Sequence, residues 1–292
     1  MNILFLGMVI WVVAASLGLG TFLSGLPGWM GMLGSELIYL LPVLVYVMAE
    51  RIPLGEWIPH ERPRVSTSLM TILFVILLMP LMTCLNVFTM LFSNNYVAES
   101  QAAMEELPLV LQLIFVAVIP AVSEEFMFRG IFLGGYRRQG VLFGAVISGV
   151  VFGLFHLNFN QFFYACMLGI AFAVLLEFTG SIFYCMLGHF FINAWSTVLN
   201  VVYERIVGVS AAAELESEIM TREMLVNSFC VYGVLAFFTT CLAVAVLMWI
   251  GEHSGKDLSL MRKGEEEKEF SPVFLAGVVI CVGFMIFRDW FA

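Results

Sequence analysis

The sequence predicts an all-α polytopic membrane protein, and three observations carry that prediction. Of 292 residues, 61% are hydrophobic and only 12% are charged, about half the charged share of an ordinary soluble domain. The mean hydropathy is +0.99. Apolar runs of about twenty residues, the length that crosses a bilayer's hydrocarbon core, recur along the whole chain, far more than one soluble core could bury.

Taken in order, the apolar windows place spans near 3–24, 30–49, 69–92, 107–127, 141–157, 161–177, 181–202, 225–250 and 272–288, so about eight or nine transmembrane helices. The start, Met1-Asn2-Ile3, lacks the basic segment of a signal peptide, and its apolar run passes Leu19 without a cleavage site, so it reads as the first span. Lys and Arg then orient the bundle, because cytoplasmic loops hold more of them. With a cytoplasmic N-terminus the inner loops carry Arg51, Arg62 and Arg64, then Arg137 and Arg138, then Lys256, Arg262, Lys263 and Lys268. The outer segment 93–106 has neither Lys nor Arg, and in 203–224 the cations Arg205 and Arg222 are outnumbered by Glu204, Glu214, Glu216, Glu218 and Glu223. The chain divides into N-terminal helices over 1–104, a core of four consecutive helices over 105–205, and C-terminal helices with a polar loop over 206–292; that loop, 251–271, reads as a solvated linker.

Composition also excludes functions. A net charge of −9 with the 13 Lys and Arg scattered singly or in pairs leaves no basic stripe for nucleic acid. Cys84, Cys166, Cys185, Cys230, Cys241 and Cys281 all lie in apolar runs without metal-ligand spacing and read as small core hydrophobes. No fixed-period repeat and no matched pair of broken spans is present, which weakens a transporter built from inverted repeats.

Ionisable groups inside spans are costly and need a partner or a function. Glu124, Glu125, Arg129, His156 and His189 cluster in this way, whereas Glu36 reads as structural and Glu177 as interfacial. The pairs Glu125/Arg129, Phe152/His156 and His189/Asn193 are each four residues apart, hence on one helix face. Glu124 and His156 lie sixteen residues to either side of the Gln139-Gly140 turn, so both sit roughly 24 Å from it if the helices run unbroken. From the Thr179-Gly180-Ser181 turn, His189 lies at about 13 Å and Asn193 at about 19 Å, approaching the same level. Any one of these groups alone would read as a buried pair or an interhelical hydrogen bonder. Together, on adjacent helices, they read as a site.

Its chemistry is open to two readings. A desolvated carboxylate, Glu124 or Glu125, is a competent general base for water; a histidine on a second helix orients the water or shuttles its proton, and His with Asn on a third offers two donors to an oxyanion. That set hydrolyses an amide. The same atoms, Glu124, His156 and His189, also make an accepted zinc ligand set with the second Glu as base, although no HExxH is present. The metal-free reading is preferred, with no cofactor required. Ser123, next to the acids, has no activating partner at a helpful spacing and reads as a packing residue.

The residues Glu124-Glu125-Phe-Met-Phe-Arg129, Phe152-Gly-Leu-Phe-His156 and His189-Phe-Phe-Ile-Asn193 match, in order, the motifs EExxxR, FxxxH and HxxxN. In this they resemble the CPBP intramembrane endopeptidases, the family of type II CAAX prenyl proteases and bacteriocin-processing proteins also called Abi, over about residues 105–205. The resemblance implies an integral membrane protease, expected in the cell membrane, in which Glu124 activates water with help from His156. It further implies that His189 and Asn193 form an oxyanion hole and that Glu125 and Arg129, with Phe152, support the site. Its partners would be the lipid bilayer and a peptide or membrane-tethered protein substrate. Two other readings compete: a non-catalytic peptide-binding immunity protein, and a proton-coupled transporter using the same acids and histidines as a relay.

Overall fold

The computed structural model describes residues 1–208, 221–256, 259 and 271–291. Among them the chain is helical, its only bridge being the isolated antiparallel pair His60 and Ser181. We number the helices α1 (Asn2–Ser24), α2 (Gly28–Ala49), α3 (Leu54–Trp57), α4 (Val65–Thr89) and α5 (Tyr96–Ala102). There follow α6 (Leu109–Gln139), α7 (Val141–Leu154), α8 (Phe159–Thr179), α9 (Ile182–Val207), α10 (Arg222–His253) and α11 (Pro272–Trp290). Eight of these are long and apolar enough to cross a membrane, and α7 is a shorter apolar helix of 14 residues. The all-α polytopic membrane fold is the one the composition predicts. The acidic and basic residues foreseen in the loops at 209–220 and 260–270 lie outside the described residues.

Boundaries differ from expectation mainly around α6 and α7. The fourth span was expected to end near residue 127, yet α6 runs 31 residues to Gln139 and reverses at Gly140, whose φ of 129° is open to glycine and strained for other residues. Two stretches of α6, Leu113–Val118 and Phe126–Phe132, are wound as π-helix. Such wide turns recur at functional sites. The fifth span was expected to reach residue 157, but α7 stops at Leu154. His156 therefore sits in the turn beyond the helix and not on its face, and Leu157 beside it holds a left-handed φ of 52°. Strained backbone of this kind persists only where its surroundings enforce it. Here Asn158 enforces it: its side chain donates to the His156 carbonyl and to Gln161 Oε1 and accepts from the Gln161 N–H at 2.8 Å, capping α8.

The antiparallel pair α7 and α8 packs backbone to backbone. Gly149 and Gly153 on α7 are four residues apart; a Cβ on Gly149 would lie 2.6 Å from the Ile170 nitrogen, and one on Gly169 would lie 2.5 Å from Gly149 Cα. Small residues at this spacing let membrane helices approach closely. The approach fixes the height of the His156 turn against α8.

The two ends of the bundle differ in charge. At one end the 57–66 segment, the Gly140 and Gly180 turns and the end of α10 are tied together: Glu61 N–H donates to the Gly180 carbonyl, Arg64 to the His253 carbonyl and Arg137 to the Trp57 carbonyl. Glu177 belongs here too, paired with Arg137 at 3.5 Å. At the other end Ser93 donates to Asp289 at 2.8 Å, Arg288 stacks 4.0 Å from the Tyr96 ring centroid, and α5 lies across the bundle. The first end is rich in arginine; the second bears Glu99, Glu105 and Glu106 on a segment without Lys or Arg. Of the cysteines, Cys84, Cys185 and Cys281 are buried as expected, whereas Cys230 and Cys241 face outward from α10, a correction that follows from that helix packing along one side only.

Candidate active site

Glu124 lies midway between Leu109 and Gln139, at the centre of a helix about 46 Å long. It lines a cavity of about 450 Å³ that also receives His156, His189 and Asn193, so four residues singled out in the sequence converge on one space. The cavity extends past α2 and α5 to the acidic end of the bundle, where Ser100 and Ala103 on its wall are exposed. Irregular backbone at membrane depth is tolerated where it lines such a space, and the turn carrying His156 does so.

Adjacent in sequence, Glu124 and Glu125 have different surroundings. Glu125 is wholly buried. Its Oε2 is paired with Arg129 Nε at 3.1 Å, and its Oε1 accepts from His189 Nδ1 at 2.7 Å. The Arg129 contact is an ion pair without good hydrogen-bond alignment, since none of the guanidinium nitrogens has a hydrogen-bond partner among the described residues. What covers the guanidinium instead is aromatic: its carbon lies 4.4 Å from the Phe152 centroid and 5.5 Å from that of Phe172. Ring faces attract cations most strongly when both are desolvated. Phe152 thus joins the motifs, because its ring also meets those of His156 at 5.0 Å and His189 at 6.1 Å.

The Glu125 hydrogen bond takes His189 Nδ1 and turns Nε2 toward Glu124 Oε2, 3.7 Å away. His156 is held in the complementary way: Nδ1 lies 3.0 Å from the Phe152 carbonyl, which leaves Nε2 for the cavity. A partner on one ring nitrogen fixes the role of the other.

Asn193 is positioned by a defect in α6. Pro120 has no N–H to offer the Val116 carbonyl four residues earlier, and Asn193 Nδ2 donates to that carbonyl at 3.0 Å. One amide hydrogen is thereby committed and the second remains for the cavity. The other π-wound stretch is braced alike, its Phe128 carbonyl accepting from Ser148 Oγ at 2.9 Å.

Two residues were misjudged from sequence. Ser123 is not merely packed: its hydroxyl donates to Glu36 Oε2 at 2.5 Å, with the Ile119 carbonyl also within reach at 2.9 Å. Glu36 accordingly lies at the cavity beside Glu124, not apart from it. The signal available was an unpaired acid within a span, which calls for a partner; what sequence could not supply was that α2 packs against α6. Among the described residues no three His, Cys, Asp or Glu stand together as a metal-holding group, although Glu124, His156 and His189 line one cavity.

An all-α polytopic membrane protein with carboxylates and histidines gathered around an internal cavity is the class these observations define. Residues 106–195 match the family model described as type II CAAX prenyl endopeptidase Rce1-like, so the resemblance read from the three motifs holds over that segment, which spans α6 to α8 and half of α9. Comparison with curated proteins and with solved structures gave no match.

Proposed function

We propose that the protein is an intramembrane endopeptidase that hydrolyses a peptide bond with a water activated by Glu124. The observation that carries this reading is the placement of Glu124 in the cavity, facing His189 Nε2 at 3.7 Å and sharing the space with His156. The match to a CAAX prenyl endopeptidase family supports the protease class. In the proposed reaction Glu124 takes a proton from water while the oxygen attacks the carbonyl carbon. His156 orients the water or passes the proton on to the leaving nitrogen, and the C–N bond breaks with one carboxyl and one amine product. The free Asn193 N–H and His189 Nε2 are the donors available to the oxyanion; for Nε2 to donate while Nδ1 serves Glu125, the ring has to carry protons on both nitrogens. Glu125 and Arg129 hold His189 and do not meet the substrate.

The arginine-rich end is assigned to the cytoplasm by the positive-inside rule, which places the N-terminus there and opens the cavity toward the opposite face. The substrate is a peptide or a membrane-tethered protein segment reaching the cavity from that side. The test is cleavage of a quenched peptide library by the purified protein in detergent, beside Glu124→Gln, with and without a strong chelator. Cleavage lost in Glu124→Gln and untouched by chelator is the expected result. Loss with chelator and recovery with zinc would replace it with a metal mechanism, and pH-gradient-driven uptake into proteoliposomes without cleavage would replace it with a transporter.

A further inference from the structure

We propose that the substrate carries a cationic group, a lysine or arginine side chain or a free amine, beside the bond to be cut, and that Glu36 binds it. The inference rests on the protease reading, since it takes the cavity as the substrate site. Glu36 belongs to α2, outside the matched segment 106–195. Its Oε2 accepts from Ser123, while Oε1 makes no hydrogen bond to protein among the described residues and lies at the cavity. A clamp between α2 and α6 needs no charge, because a neutral amide would accept from Ser123 equally well. A carboxylate kept within a span has a countercharge or a function; Arg129 is committed to Glu125 and enclosed by two phenyl rings, and His189 is engaged by Glu125 at Nδ1 and faces Glu124 with Nε2, so neither is bonded to Glu36.

Among the described residues the cavity holds no permanent cation. Glu36 and Glu124 are its acids, His156 and His189 its only basic side chains, and no Lys or Arg lines it among the described residues. Its mouth is formed by residues of α5 and the strand of chain after it, on the segment that carries Glu99, Glu105 and Glu106. The cations at this end, Arg205, Arg222 and Arg288, do not line the cavity, and Arg288 is stacked on Tyr96. A low-dielectric cleft of one sign attracts the opposite charge and repels its own. A cationic segment is drawn inward past the acids at the mouth to Glu36, which shares the cavity with Glu124 and bonds to the neighbouring Ser123, so the cationic group is set near the scissile bond.

The test uses three quenched peptides identical but for one residue next to the cleaved bond: lysine, norleucine, which keeps the stem without the charge, or glutamate. Binding by fluorescence anisotropy and cleavage are both measured for the full chain and for Glu36→Gln, Glu36→Asp and Glu36→Lys. The full chain is expected to prefer lysine over norleucine by on the order of 30-fold, the worth of a desolvated charge pair. That ratio should fall to about one in Glu36→Gln, recover in part in Glu36→Asp and turn toward glutamate in Glu36→Lys. A ratio that persists in Glu36→Gln, or an unmutated chain indifferent to the charge in both readouts, overturns the proposal. Preferential binding of the lysine peptide that depends on Glu36 but leads to no cleavage would uphold the recognition role and refute the protease reading.

Discussion

The two walls of the cavity are built differently. On the wall of α6, α7 and α9 the groups around Glu124 are held by others: Glu125 by Arg129 and His189, His156 by the Phe152 carbonyl, Asn193 by Val116, with His189 Nε2 facing Glu124 at 3.7 Å. On the wall of α2 and α5, Glu36 has one hydroxyl partner, and Ser100 and Gln101 come from a helix of seven residues. Bond-making chemistry needs groups fixed to within a fraction of an ångström by their surroundings, whereas recognition of a charge works through a longer-ranged field. Under the proposed function, chemistry belongs to the first wall and selection to the second. Substitutions on the first wall are expected to act on kcat, and those on the second on KM or preference.

The largest effect separates the neighbouring glutamates. Glu124→Gln should lower kcat by about a thousandfold or more, the upper range for a lost general base, and leave the unfolding midpoint in detergent unchanged. Arg129→Ala should instead lower stability by about 3–5 kcal/mol, because it strands the wholly buried Glu125 carboxylate and leaves a space between Phe152 and Phe172. Thermal unfolding of the two variants side by side distinguishes them. Equal loss of stability in both would erase the distinction between the base and its support.

Much of this wall was legible in the sequence. Residues four apart on helices gave the Glu125–Arg129 pair and the shared face of His189 and Asn193, and counting from the Gly140 turn brought Glu124 and His156 to one cavity. The fold class followed from composition alone, because a bilayer leaves few ways to satisfy a backbone. What was not legible is everything set by packing between helices distant in sequence. Glu36 and Ser123 are 87 residues apart, and no periodicity within either helix announces their contact. The end of α7 two residues before His156 was equally hidden, because no proline or polar run marks it; the capping side chain, Asn158, follows the histidine. Nor does the spacing of apolar residues reveal π-winding in α6, which depends on Asn193 and Ser148 reaching the widened turns from other helices.

Pro120 offers an intermediate test of how the first wall is built. Pro120→Ala supplies a backbone N–H within reach of the Val116 carbonyl, which then has less need of Asn193 Nδ2. A helix relieved of its proline gains stability in isolation, so the variant should be at least as hard to unfold. Its kcat should nonetheless fall by about tenfold, part of what removal of an oxyanion donor costs, with KM little altered. A variant both more stable and fully active would show that Asn193 needs no help from α6.

The smallest effect belongs to the second wall. Gln101 lines the mouth of the cavity from α5 and is not one of the groups that hold one another around Glu125. Gln101→Ala removes a polar contact for an incoming chain without unpairing any charge, and an exposed hydrogen bond exchanged for water is worth about 0.5–1.5 kcal/mol. KM should therefore rise by about threefold, with a smaller change in kcat, in steady-state cleavage of a single peptide. A fall in kcat comparable to that of Pro120→Ala would mean that α5 orders the reacting groups and does more than frame their access. The division between the walls would then run between α2 and α5, with Glu36 left on the side of selection.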